Sequence, residues 1–167
     1  MTAWVLSASY ALHMAATVAW VGGLTFQALL LPAATRTLGP LPRARLYAAL
    51  ARRFQPVAWI SLAVLIFTGL SQMAANPSYA GFLAIDNRWA QAILAKHLAF
   101  AAMILLAGLQ TWGVLPRLSR LLLLQAAGAE PSEGELPRTL LRLDRLTQAN
   151  AALALAVLAL TAIARTA

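Results

Sequence analysis

The chain contains no cysteine. That excludes disulfides, thiolate-bound metals, iron–sulfur clusters and covalent c-type haem attachment, and says nothing about compartment. Charge is scarce: 11% of the 167 residues are Asp, Glu, Lys or Arg, against roughly 25% in a soluble domain. Acids are scarcest, five against 13 Lys and Arg, and none pair in a way that suits acid–base catalysis. Histidine occurs twice. The net charge of +8 does not imply a nucleic-acid partner, because the basic residues follow no aromatic or basic groove. They lie between apolar runs, where lipid headgroups would meet them.

What fills the chain is apolar, 61% of it. About 20 apolar residues cross a bilayer core, and four runs are long enough: about 3–31, 54–75, 89–115 and 146–164. No basic residue precedes the first, which reads as a span and not as a cleavable signal. Pro32, Asn76-Pro77 and Pro116 follow the first three runs and predict helix stops there. The runs do not alternate as barrel strands do. The reading is an all-α integral membrane four-helix bundle, a single transmembrane domain over 1–167. A flexible cytoplasmic loop is expected at about 125–137.

Arginine sets the expected orientation. Arg36, Arg43, Arg45, Arg52 and Arg53 separate runs one and two, and Arg117, Arg120, Arg138, Arg142 and Arg145 separate runs three and four. The other side holds only Arg88, Arg165 and Lys96. The positive-inside rule then places both termini outside a bacterial-type inner (cytoplasmic) membrane. Trp4, Tyr79 and Trp89 stand where an outer aromatic belt would lie.

The halves repeat. Pro32 follows His13 by 19 residues, and Pro116 follows His97 by 19. Spans one and three run in the same direction, so the chain reads as two helical hairpins related by a pseudo-two-fold axis along the membrane normal. At ~1.5 Å per residue the histidines lie roughly 15 and 12 Å below the outer surface. An ionisable group at that depth defaults to a functional site.

Two neutral imidazoles on symmetry-related helices suit the opposite faces of a haem b, and make His13 and His97 the candidate metal ligands. Tyr10, Ala16, Thr17, Trp20 and Leu24 share a face with His13; Ala90, Ile93, Leu94, Ala101, Ile104 and Gly108 share one with His97. Small residues among them leave room for a flat ring. Arg88, Lys96 and the outer Trp and Tyr residues are candidates to meet the propionates. A copper ion is the competing ligand, with Met14, Met73 and Met103 in spans. Met14 is expected to point away from His13, and Lys96 away from His97. Ser9 and Thr17 are candidates to orient His13. His97 has no evident polar partner on its own helix, and Asn150 is a candidate for it. Partners open to such a protein are the bilayer, a quinone or redox partner protein, and copies of itself.

The segment His13 to Gly23, Leu31-Pro32, Arg53-Phe54, Thr68-Gly69-Leu70, Lys96-His97 and Leu115-Pro116-Arg117 together resemble the copper-resistance D (CopD)-like membrane proteins, across all four spans. More distantly, His13, Trp20, Gly22 and Lys96 resemble positions in the HemJ-type protoporphyrinogen oxidases. The first resemblance implies copper uptake or tolerance, the second porphyrin oxidation. The fused copper-binding partner of larger CopD proteins is absent, and Gln27 to Pro32 lacks the tyrosine- and histidine-rich character of HemJ. A b-type cytochrome-like electron carrier, a copper protein, a membrane oxidoreductase of the HemJ kind and a ligand-free scaffold therefore all stand at this point.

Overall fold

The computed structural model describes residues 3–77, 79, 81, 87–129 and 132–166. Among them every regular element is helical: α1 (Ala3–Thr25), a π-helical segment (Phe26–Leu30), α2 (Leu31–Ala34), α3 (Pro40–Ala74), α4 (Arg88–Gly108), a second π segment (Leu109–Val114), α5 (Leu115–Ala126) and α6 (Glu135–Thr166). These form four continuous rods, each long and apolar enough to cross a membrane. Large apolar side chains point outward along them, Val18, Phe67, Leu105 and Trp112 among the most exposed. Apolar surface on every side of a helix is what lipid demands. Hydroxyls of Thr17, Thr25, Thr68, Ser71 and Thr161 donate to the carbonyl one turn back, closing polar groups within the helix.

The rods outrun the apolar runs. α3 has 35 residues, about 50 Å at 1.5 Å per residue, against a hydrocarbon core of about 30 Å. Arg43, Arg45, Arg52 and Arg53 therefore stand on helix and not in a loop. Hydropathy marks where a helix is greasy, not where it ends. Likewise the loop expected at 125–137 narrows: α5 continues through Ala126, α6 starts at Glu135, and Gly128 and Gly134 at φ +78° make the turns between them. Residues 130 and 131 of that stretch lie outside the described residues. Asn87 starts α4 by accepting from the Ala90 N–H at 2.8 Å.

Pro32 and Pro116 do not stop their helices. In both halves a π segment ends directly before the Leu-Pro pair and the helix continues past it. The Leu31 N–H bonds Phe26 O and the Leu115 N–H bonds Gln110 O, five residues back. A proline ring inside a regular α-helix collides with the carbonyl four residues earlier. One extra residue in the turn moves that carbonyl aside. In lipid the disturbed backbone needs protein partners, and Gln27 Nε2 donates to Gly23 O at 3.2 Å in the first half. Of the three stops only the second holds, with Asn76-Pro77 just past α3.

α1 packs chiefly on α3, and α4 on α6; α1 and α4 meet little. At the arginine-rich end Leu31, Tyr47, Val114, Leu118, Leu121, Leu140 and Leu143 form a closed core. A second core of Ala16, Trp20, Leu24, Leu62, Leu65, Met103 and Ala154 fills mid-bundle. Toward the end that carries the termini the hairpins part.

Candidate functional site

Where they part there is a cavity of about 670 Å³, within the roughly 300–1,000 Å³ of small-molecule and cofactor sites. His13 of α1 and His97 of α4 both line it, one from each hairpin, and so do Lys96, Tyr10, Thr17, Trp20 and Ile93. Trp20 and Phe100 close its floor in an edge-to-face pair 5.7 Å between centroids. Leu65, Ile66, Leu70, Val157 and Leu158 make the walls apolar.

The imidazoles are held in the same sense by different means. Thr68 Oγ1 lies 2.6 Å from Val64 O, to which it donates its only proton. It must therefore accept from His13 Nδ1–H, 2.8 Å away. His97 Nδ1 lies 2.7 Å from Ile93 O, a carbonyl that only accepts. In both neutral rings the proton sits on Nδ1 and the lone pair on Nε2. Fixing one ring nitrogen so that the other ligates is how proteins present histidine to a metal. Gly69 lies beside the first ring: a Cβ there would stand 3.5 Å from His13 Cε1, in ordinary van der Waals contact.

The candidate orienting residues take other roles. Ser9 Oγ donates to Thr68 O at 3.5 Å and Thr17 Oγ1 to His13 O at 2.8 Å, so neither holds the His13 ring. Asn150 Nδ2 donates to Met103 O at 3.4 Å. The ring partners escaped sequence reading because one is a backbone carbonyl and the other lies on a different helix, 55 residues away. The Thr-Gly pair at 68–69 was the available signal.

Lys96 beside His97 and Met14 beside His13 line the same cavity as their neighbours, against the expectation that each points away. The space is wide enough for adjacent helix positions to meet it. Met73 and Met103, both buried, line it too. Ala16 and Leu24 instead belong to the core below, and Ala90 is buried. Arg88 opens α4, exposed and apart from the cavity lining; Arg165 of α6 lines the cavity. Among the described residues that line it there is no carboxylate. Among the described residues no group of three or more His, Cys, Asp or Glu stands ready for a metal ion.

Residues 48–164 match the family described as CopD, Copper resistance protein D. The match takes in Thr68-Gly69, Lys96 and His97 but begins after α1 and His13. No curated protein and no solved structure matches the chain. The match spans most of the sequence and nearly all of the second hairpin, and the chain is a multi-pass membrane protein of the copper resistance protein D family.

Proposed function

We propose that the cavity binds one haem b, which His13 and His97 would hold, and that the protein carries electrons to or from a quinone or a redox partner protein. One observation carries the reading. An apolar cavity large enough for a macrocycle receives one histidine from each hairpin, each with its lone pair on Nε2. A bare ion does not need 670 Å³. Haem, when bound, supplies one-electron redox chemistry. Thr68 and the Ile93 carbonyl orient the ligand rings, Trp20 and Phe100 seal the floor, and the walls exclude water. Lys96 and Arg165 offer cations to carboxylates that point to the open end.

The absorption spectrum of the purified protein tests this. A Soret band with sharp α and β bands on reduction is expected. Replacing either histidine with alanine should turn a low-spin spectrum into a high-spin one, and replacing both should abolish binding. A double variant that keeps a full complement of low-spin haem overturns the reading, as does a wild type that never carries haem when haem is plentiful.

A second reading has its own support. The family's name concerns copper, and Met14, Met73 and Met103 line the cavity with the two histidines. Thioether and imidazole together suit Cu(I), which would be cargo. On this reading haem-free protein binds Cu(I) stoichiometrically, and a Met73→Leu/Met103→Leu double variant weakens that binding.

A further inference from the structure

Trp20 also lines a second, smaller cavity on its other side, about 70 Å³ within the arginine-rich half. Its polar lining comes from all four rods: Gln27 in the first π segment, Tyr47 and Gln55 on α3, Gln110 and Thr111 in the second π segment, Thr147 and Asn150 on α6. Such residues usually tie helices together in lipid. Gln110 does so, donating to Thr147 Oγ1 at 3.2 Å. Two atoms do not fit that account. Asn150 is 0% exposed and its Oδ1 has no hydrogen-bond partner; Gln55 Nε2 is buried without one as well. One is an acceptor and the other a donor, and both side chains line the same space. Leaving both bare in lipid is costly. Water accepts from the amide N–H and donates to the carbonyl oxygen, and at about 10–15 Å³ each the cavity has room for several molecules.

At the arginine-rich end one wall residue, Tyr47, joins a hydrogen-bonded cluster. Tyr47 donates its hydroxyl to Asp144 Oδ1 at 2.9 Å, and Arg43 pairs with the other carboxylate oxygen. With water in the chamber, these amide and hydroxyl groups would connect the Asp144 carboxylate to the underside of Trp20.

We propose that this chamber is a hydrated proton half-channel, running from Asp144 and Tyr47 to the floor of the outer cavity. Each water in it accepts one proton and gives up another, so nothing is consumed. Trp20, 4% exposed and braced by Phe100, ends the path. With the indole in place, protons reach the floor without leaking across the membrane. The path depends only on groups of this chain, whatever ligand the outer cavity takes.

Two measurements decide it, and neither needs a bound cofactor, so their failure leaves the haem reading standing. In ¹⁵N-labelled wild-type protein in bilayers, magnetisation from water should reach the side-chain amides of Gln55 and Asn150. In Asn150→Leu, which fills the chamber, transfer to Gln55 should be lost. In vesicles holding a pH-sensitive dye, with a potassium gradient and valinomycin to drive flux, Trp20→Ala should acidify several-fold faster than wild type. Adding Asn150→Leu or Asp144→Asn should return the rate to the wild-type level. Amides that receive no water magnetisation overturn the proposal. So does a Trp20→Ala protein no faster than protein-free vesicles, or one whose flux survives the second substitution.

Discussion

A single hydroxyl separates the two histidines in how they can be tested. His97 is held by the carbonyl of its own helix, which no side-chain substitution removes. His13 is held by Thr68, which donates to Val64 O and accepts from the ring in one arrangement. Thr68→Val keeps the shape and removes both bonds. The ring can then rotate and exchange tautomers, and loss of such an orienting partner typically lowers metal affinity about 10–100-fold. We expect Thr68→Val to fold, to bind its ligand in that weakened range, and to be rescued by Thr68→Ser. Haem dissociation into apomyoglobin measures it; equal dissociation from Thr68→Val and wild type would show that the hydroxyl only packs. His13 and His97 were legible in the sequence because histidine in an apolar run is rare. Thr68 was not, since a hydroxyl there has an ordinary use, bonding its own helix, and the second bond exists only once α1 lies on α3.

At the level of the helix, the repeat is written in the backbone as well as in the spacing. Equal intervals from His13 to Pro32 and from His97 to Pro116 were visible as a pattern. Their physical content was misread, because a proline after an apolar run resembles a terminator. The structure shows one added residue in each rod instead, which carries the helix past the proline. A π segment is a one-residue insertion in an α-helix, so deleting one residue should restore the α form with both flanking faces in register. Gly113 suits this, as a Cβ there would meet nothing within 4 Å. Deleting Gly113 alone drives Pro116 into the carbonyl one turn back and should destabilise by about 3 kcal/mol or more. Deleting Gly113 and changing Pro116→Ala should regain most of that, because Leu118 and Leu121 return to the core they fill now. Thermal unfolding in detergent compares the three proteins. If the double change is no better than the deletion, the π segment answers to something other than its proline.

Composition alone made a membrane bundle legible, but not where its packing opens. Any of the four rods can pair with any other by apolarity. That α1 takes α3 and α4 takes α6, leaving a wedge between, depends on side-chain fit along whole helices. The wedge gives the molecule a direction: its cavity lies toward the end of both termini, with Lys96 and Arg165, and the chamber under Trp20 lies toward the other. Ten arginines mark that other end, Arg36 to Arg53 on one connection and Arg117 to Arg145 on the second. All but Arg43 are exposed and placed for anionic headgroups, Arg117 while also pairing with Glu135 of α6 at 2.8 Å. From the positive-inside rule we expect this end to face the cytoplasm; the outer cavity then opens away from it, and the proposed half-channel draws its protons from the cytoplasm. A fluorescent reporter that matures only in the cytoplasm should light when inserted at Ala129, between α5 and α6. Alkaline phosphatase, active only outside, should work when fused after the last residue. The opposite pair of results would invert the molecule: His13 and His97 would face cytoplasmic electron donors, and the half-channel would draw its protons from outside.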